Sequence, residues 1–259
     1  MPTIRSTYGV ASRVSGNHFI AGLECEIEDL TSIHEDIADG SIWEITSDGS
    51  LRNSGKEFIS RPLDKQSLLS AFDNLHNSLQ YKSSDCGVRF SQRTSTHIHV
   101  NCLDLEEEQV KAIVLWYALF EPIFFLMASP IRRNNIHCVG LDQTVLSESY
   151  KRPLAYQKQR WSKYTALNIL PLSKYGTIEF RHLEGTDDLD KITQWLNTLE
   201  NLWMYGQKNP ITKEAVLSDG AIREVFCAIF KDSSDAMKYK DMLPQLLADS
   251  IIDIKLSLI

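Results

Sequence analysis

The chain has 259 residues, enough for one large domain or two small ones with a substantial buried core. Its contents of 43% hydrophobic, 24% charged and 9% aromatic residues are ordinary for a soluble globular protein. The formal net charge of −7 argues against a general nucleic-acid-binding protein, although the carboxylates could be gathered at a cation site. The five cysteines are scattered and form no C-x-x-C pair, so we interpret them as reduced thiols of a cytoplasmic protein.

Two stretches bear on targeting to a membrane. The N-terminal sequence MPTIRSTYGV lacks the apolar core of a signal peptide. The segment Val110–Ala128 is long enough to be tested as a membrane span, but Lys111, Glu121 and Pro122 interrupt it. We therefore predict a buried helix here, kinked near Pro122, and no membrane association.

The segment Gly22–Glu28 alternates strictly and is predicted to be a strand. Its apolar residues face one side, and the carboxylates of Glu24, Glu26 and Glu28 face the other. Carboxylates this close repel each other unless water screens them or cations neutralise them. The pattern leaves a solvated sheet edge and a cation site as alternatives.

A β-hairpin is predicted next. The segments Ser41–Thr46 and Gly55–Arg61 bracket the turn Ser47–Ser50, which contains Asp48. The second strand carries Glu57 among apolar neighbours.

An amphipathic helix over Asp64–Tyr81 is followed by a return to strand character over Val88–Cys102. In this strand His97 and His99 share a face. Two imidazoles on one side of a strand are a frequent metal-binding arrangement, but a pair of satisfied polar histidines is equally compatible with the pattern.

Basic residues follow the long apolar helix. Arg132 and Arg133 come directly after it, and residues 141–162 look irregular and polar, with an excess of positive charge. Such a segment could cover an anionic ligand, although the pattern favours a solvated loop.

The segment Gly176–Thr186 organises the rest of the chain. Alternation over the predicted strand Thr177–Leu183 places Glu179, Arg181 and Leu183 on one face, opposite three largely apolar neighbours. A carboxylate beside a guanidinium suits a metal ligand next to a fixed positive charge, as phosphoryl transfer requires. The alternative is an ion pair on a solvated sheet. A helix is predicted to start after Gly185, and residues 210–259 read as short helices.

Four predicted strands thus present acid or imidazole groups. Because this set is dominated by hard oxygen ligands, it favours Mg²⁺ or Mn²⁺ over Zn²⁺, and the number of carboxylates suggests more than one ion. The groups are Glu24 with Glu26, then Glu57, then His97 with His99, and finally Glu179 beside Arg181.

These pieces, in this order, resemble the amidoligases, which are carboxylate–amine ligases of the glutamine synthetase and glutamate–cysteine ligase superfamily. The resemblance covers about residues 20–205. Its motifs are Gly22-Leu23-Glu24-Cys25-Glu26, Asp48-Gly49-Ser50-Leu51, Gly55-Lys56-Glu57, His97-Ile98-His99-Val100, Lys163-Tyr164 with Leu167-Asn168, and Thr177–Arg181 with Gly185-Thr186.

The resemblance implies an α+β fold with a curved antiparallel sheet, as in the glutamine synthetase catalytic fold. Helices would cover the convex face, and the concave face would hold ATP and two or more Mg²⁺ ions. We expect residues 1–259 to form one catalytic domain, with a core over about 20–205 and a helical C-terminal region over about 206–259.

The resemblance also implies roles for individual residues. Arg181 would meet the transferred phosphate, with Arg132 as a second catalytic candidate, and Lys163, His99 and Asp48 would contact the nucleotide or substrate. Thr96 stands where the family often has glycine, and its bulk could alter how closely the nucleotide approaches. The implied metal ligands are Glu24, Glu26, Glu57, His97 and Glu179.

We therefore predict a cytoplasmic enzyme that uses ATP to join a small-molecule or peptide-borne carboxylate to an amine. Two other classes remain open. A metal-dependent amide hydrolase could use the same ligands to activate water, and a non-catalytic interaction protein could retain the fold.

Overall fold

A computed structural model describes residues 2–12, 14, 18–30, 40–82, 90–133, 135–141, 152–212 and 218–258. Its centre is one open antiparallel sheet of seven strands in the order β2-β3-β1-β5-β7-β6, with β4 paired to the beginning of β1. The predicted α+β fold class is confirmed. The strands are β1 (Ile20–Ile27), β2 (Trp43–Thr46), β3 (Lys56–Ser60), β4 (Leu63–Asp64), β5 (Ser95–Asn101), β6 (Leu167–Asn168) and β7 (Thr177–Glu184).

The strand order decides one of the open alternatives. The acidic strand β1 lies between β3 and β5, so it is an interior strand and not a solvated edge. The predicted hairpin is confirmed by the pairing of β2 with β3, in which Thr46 lies opposite Glu57. In the same sheet Glu26 lies opposite Glu57, and Glu24 lies opposite His97.

A β-bulge interrupts the pairing of β5 with β7. Thr96 pairs with Leu183 and Ile98 pairs with Phe180, so Arg181 and His182 together face the single residue His97. The extra residue breaks the alternation that predicted Leu183 on the polar face. Leu183 instead lies in the hydrophobic core, and that prediction is wrong because alternation does not reveal a bulge.

Helices cover the apolar face of the sheet. The Tyr117 ring packs 5.7 Å from Phe180 and 5.5 Å from His182, and Trp203 Nε1 donates a hydrogen bond to the Asn101 carbonyl. The helices are α1 (Ile4–Tyr8), α2 (Lys65–Lys82), α3 (Glu107–Met127), α4 (Leu154–Lys158), α5 (Leu189–Lys208), α6 (Asp219–Phe230), α7 (Ser234–Met237), α8 (Leu243–Leu246) and α9 (Ala248–Ser257).

The long helix α3 is the segment tested above as a membrane span. Within the part of the chain that the structure describes, it is the one helix long and apolar enough to cross a membrane, and 78% of its apolar window is buried inside the protein. The predicted buried helix is confirmed, with Pro122 inside it, while the kink stays a prediction.

The cysteines that the structure describes, Cys25, Cys102, Cys138 and Cys227, are free thiols. Cys86 lies outside the described residues.

Candidate active site

Most of the predicted site residues line one cavity of about 790 Å³ on the polar face of the sheet. The alternation of β1, β5 and β7 places their carboxylates and imidazoles on the side opposite the core. Glu57 and His97 do not line the cavity themselves. Glu57 lies beside Glu26 and Asp48, and His97 lies beside Glu24 and Glu179. The predicted residues that line the cavity directly are Glu24, Glu26, Asp48, His99, Arg132, Lys163, Glu179 and Arg181.

One candidate ion group forms where β1, β5 and β7 lie side by side. Glu24, His99 and Glu179 bring one ligand atom each to within 4.8 Å of one another. His97 Nδ1 also lies 3.2 Å from Glu24 Oε2 and 3.3 Å from Glu179 Oε1. Either imidazole could therefore complete a ligand set with these two carboxylates.

His99 Nε2 supports this group because it is a buried polar atom that makes no hydrogen bond within the described part of the chain. The atom is buried and lies 3.0 Å from Glu24 Oε1, but without hydrogen-bond geometry to any described residue. A buried polar atom without a hydrogen bond is costly, and a bound cation would satisfy it. The residues therefore fit a divalent ion at this position.

The electrostatics of the group agree with that fit. Burial alone would raise the pKa of the Glu24 carboxyl, but its close contacts with the His97 and His99 imidazoles outweigh burial and lower it. Burial alone would lower the pKa of His99, and the adjacent Glu24 carboxylate raises it. Glu24 is thus held as a carboxylate, the form that binds a cation.

A second candidate ion group consists of Glu26, Asp48 and Glu57, whose carboxylate oxygens also lie within 4.8 Å of one another. Thr46 Oγ1 donates to Glu57 Oε2 at 3.0 Å. Burial and then the charge of Glu24 raise the pKa of Glu57, as expected for carboxylates gathered without a cation. Since Glu24 and Glu26 are two residues apart on β1, the two groups are adjacent.

The Glu179–Arg181 pair lies inside this site. Arg181 Nη1 donates to Glu179 Oε1, and Asn168 Nδ2 on β6 donates to Oε2 at 2.7 Å. Glu179 is only 4% exposed, so the alternative of a solvated surface ion pair is wrong. Arg181 Nη1 also lies 3.4 Å from His97 Nδ1, which places a guanidinium at the first ion group.

Arg132, predicted as a second catalytic residue, is buried against the bulge of β7. Its Nε donates to the His182 carbonyl at 3.1 Å, and its Nη2 donates to the Arg181 carbonyl at 2.6 Å. The side chain therefore holds the backbone that carries Arg181, and it also lines the cavity.

The remaining basic residues divide into two groups. Lys163 is exposed at the cavity, with Nζ 4.9 Å from the Tyr164 ring centre. Arg152 and Arg160 lie over the Tyr156 ring at 5.3 and 5.2 Å, so they contact helix α4. Residues 142–151 of the predicted irregular segment lie outside the described residues.

Three residues of the site were missed by sequence reasoning. Asn168 appeared only as part of a motif. His137 was missed because it accepts a hydrogen bond from Arg181 Nε through its backbone carbonyl, at 3.3 Å, and such a contact leaves no pattern in the sequence. Ser95 donates to Glu26 and contacts His97 Nε2 at 2.8 Å. Alternation from His97 back to Ser95 could have placed it on the polar face.

Thr96 does not enter the cavity. Its side chain is 1% exposed and lies opposite Cys25 and Leu183, which belong to the core. The residue that replaces the family's glycine therefore adds its bulk to the core face.

A second cavity, of about 450 Å³, adjoins the first and shares Glu24 and His99 with it. The apolar residues Val10, Val14 and Leu23 line it. The polar face of the sheet thus offers two adjoining cavities that share residues of the first ion group.

Comparisons with known proteins bear on the family and the fold of the chain. A family model described as an amidoligase enzyme matches residues 4–203. The solved structure "GmaS/ADP complex-Conformation 1" has a TM-score of 0.51 and 11% identity, and the match covers 90% of this chain and 70% of that one. "Apo GmaS without ligand" has a TM-score of 0.42 and 12% identity, with 92% of this chain and 67% of that one covered.

A search of curated proteins gives no match. At these identities the likeness to solved structures shows the fold alone, which is the glutamine synthetase-like fold expected from the sequence.

Proposed function

Because the chain belongs to the amidoligase family, a family of ATP-dependent carbon–nitrogen ligases, we propose that it joins a carboxylate to an amine through an acyl phosphate. The observation that carries the proposal is the adjacency of two carboxylate-rich groups and the Arg181 guanidinium on one sheet face. A nucleoside triphosphate needs cations to neutralise its phosphates, and transfer of its γ-phosphoryl group needs a fixed positive charge.

We assign one ion to Glu24 and Glu179 with an imidazole of the His97/His99 pair, and a second ion to Glu26, Asp48 and Glu57. These oxygen-rich sets suit Mg²⁺ or Mn²⁺. When bound, such ions draw charge from the phosphates and make the γ-phosphorus more electrophilic.

The two cavities suggest where the reactants bind. The smaller cavity offers apolar side chains, such as Val10 and Leu23, against which a purine ring can pack, and Glu24 and His99 also line it. The larger cavity offers Lys163 and Arg93 to an anionic acid substrate. We assign the nucleotide to the first cavity and the acid and amine to the second.

The reaction proceeds in two steps. An oxygen of the substrate carboxylate attacks the γ-phosphorus, the bond to the β,γ-bridging oxygen breaks, and ADP leaves with that electron pair. The amine nitrogen then attacks the acyl carbon, the bond from this carbon to the phosphate oxygen breaks, and the nitrogen loses a proton. Arg181 would stabilise the charge on the transferring group, and Arg132 would hold the backbone of Arg181 in place.

The proposal is tested by measuring ADP release with ATP and Mg²⁺ across amino acids, polyamines and peptides, with mass spectrometry of the products. We expect ADP release to require an acid, to rise with a suitable amine, and to accompany a product equal to acid plus amine minus water. Amide cleavage without any nucleotide would show a metal-dependent hydrolase instead. No ADP release with any acid and amine, together with no amide cleavage, would indicate a non-catalytic interaction protein that retains the fold.

Small-molecule substrates follow from the family, and a peptide-borne substrate is part of the proposal that the same screen covers. The cytoplasmic location stays a prediction from the cysteine pattern.

A further inference from the structure

Ser95 connects the two candidate ion groups. It is the first residue of β5 and is only 3% exposed. Its backbone N–H and its hydroxyl both donate to Glu26 Oε2, at 2.7 and 2.6 Å. The same hydroxyl oxygen lies 2.8 Å from His97 Nε2. One buried side chain thus touches a carboxylate of one group and an imidazole beside the other.

The direction of the serine proton fixes the direction of the second hydrogen bond. A hydroxyl has one proton, and an ionised carboxylate only accepts. A hydrogen bond to a carboxylate is stronger than one to a neutral imidazole nitrogen, so the Ser95 proton points to Glu26. The Ser95 oxygen must then accept from His97, and His97 carries a hydrogen on Nε2.

The other nitrogen of His97 is left facing the carboxylates. Nδ1 is in hydrogen-bond contact with Glu24 Oε2 at 3.2 Å, and it lies 3.3 Å from Glu179 Oε1 and 3.4 Å from Arg181 Nη1. In the ion-free protein Nδ1 can donate a hydrogen to Glu24, and a bound ion would take the place of that hydrogen. A histidine that binds a metal usually donates its other N–H to a fixed acceptor, which sets the tautomer and the ring orientation. Here the acceptor is a serine whose own proton is held by Glu26.

We propose that Ser95 is a positioning residue that keeps hydrogen on His97 Nε2 and so presents Nδ1, with Glu24 and Glu179, to a divalent ion. The same hydroxyl fixes Oε2 of Glu26 and leaves the second carboxylate oxygen for the ion held with Asp48 and Glu57. The ion-binding part rests on the proposed function, whereas the hydrogen-bond chain does not.

Ser95→Ala tests the role of the hydroxyl alone. It removes the contact with His97 Nε2 and keeps the backbone N–H that donates to Glu26. Long-range proton–nitrogen NMR of the ion-free protein reports which imidazole nitrogen carries hydrogen, with His97 assigned by comparison with His97→Gln. We expect hydrogen on Nε2 in the wild type, with or without a second hydrogen on Nδ1. In Ser95→Ala, which lacks the acceptor, we expect Nε2 to lose its hydrogen and Nδ1 alone to carry one, toward the two carboxylates.

Binding of Mn²⁺ alone, followed by electron paramagnetic resonance, gives a readout without turnover. Loss of a residue that orients a metal ligand costs about 10- to 100-fold in metal affinity, and we expect a loss of this order for Ser95→Ala. Ser95→Thr keeps a hydroxyl and should restore both the affinity and the tautomer. Ser257→Ala, which removes a buried hydroxyl bonded to the Asp253 carbonyl on α9, should change neither.

Hydrogen on Nδ1 alone in the wild-type protein would overturn the proposal, as would unchanged Mn²⁺ affinity in folded Ser95→Ala. If Ser95→Ala does not fold, the wild-type tautomer and the behaviour of Ser95→Thr still decide. A wild-type protein that shows the expected tautomer but binds no Mn²⁺ would contradict the ion sites of the proposed function and the ion-presenting role of Ser95. The Ser95–His97 hydrogen bond would stand in that case.

Discussion

Among single residues, Arg181 has the most specific chemical assignment. It lies two positions after Glu179 on β7, donates to that carboxylate, and approaches His97. Its backbone carbonyl is held by Arg132 and its Nε by the His137 carbonyl. Because these contacts fix its position, the guanidinium can stabilise negative charge that develops on a phosphoryl group during transfer.

Arg181→Lys keeps the positive charge but loses the planar fork that contacts two oxygens at once. If Arg181 acts on the transferring group, turnover should fall by a factor on the order of 10² while ATP affinity changes little, judging by charge-stabilising donors elsewhere. The measurement is steady-state ADP release with the substrate pair found by the screen, together with ATP binding. Wild-type turnover in this variant would make Arg181 a structural partner of Glu179.

Strand alternation predicted the correct face of the sheet for some residues and the wrong face for Leu183. Alternation was sufficient to put Glu24, Glu26, His97 and Glu179 on one face, because β1 pairs regularly with β3 and β5 and the bulge in β7 comes only after Glu179. It was not sufficient for Leu183, since the bulge opposite His97 is set by the pairing of two strands.

At the scale of elements, helix α3 carries a buried acid that the sequence showed only as an interruption. Burial raises the pKa of Glu121 to about 7. Tyr117 donates to its Oε1 at 2.7 Å, and the Leu141 N–H donates to both oxygens at 3.0 Å. This carboxyl therefore fixes the end of segment 135–141, whose His137 carbonyl contacts Arg181.

The raised pKa predicts how stability depends on pH. Between the ordinary pKa of 4.5 and the folded value of about 7, the folded state binds more protons than the unfolded state. Stability should therefore fall as pH rises through this window, by roughly 3 kcal/mol from this one group. Urea unfolding of the wild type and of Glu121→Gln at pH 5 and pH 8 measures the effect.

Glutamine at position 121 cannot ionise and can still accept from Tyr117. The variant should consequently be more stable than the wild type at pH 8, with the difference shrinking or reversing at pH 5. A difference that is the same at both pH values would show that Glu121 does not titrate in this window.

At the scale of the whole molecule, the C-terminal helices belong to the same core as the sheet. The Phe230 ring on α6 lies 5.6 Å from Phe120 and 5.2 Å from Phe124, both on α3. Asn201 Nδ2 on α5 donates to the Ile229 carbonyl. The sequence predicted short helices here but not what they cover, because helical spacing does not say which surface an apolar face meets.

Phe230→Ala should test the expectation of a single domain over residues 1–259. Removing a buried aromatic ring costs about 3–5 kcal/mol, so the melting temperature should drop while unfolding remains one cooperative transition. Calorimetry with circular dichroism follows both quantities. Two separate transitions, with only the first displaced, would show that the C-terminal region folds as a unit of its own.

The overall fold could be predicted to a large extent, and for a physical reason. Regular alternation identified the strands that build the site, and the order of motifs identified the family. The adjoining cavities could not be predicted, because lining residues such as Ser12 and Val14 are placed by contacts of their carbonyls with the Arg5 side chain. Such contacts leave no periodic pattern.

If the clustered carboxylates hold the cations that bind ATP, calorimetric titration of ATP will depend on those cations. We predict binding with Mg²⁺ or Mn²⁺ and none measurable in EDTA, because without cations the phosphates would face the carboxylates. Glu179→Gln should weaken the metal-dependent binding, whereas Glu224→Gln, an exposed acid on α6, should not. Equal ATP affinity in Mg²⁺ and in EDTA would contradict the account.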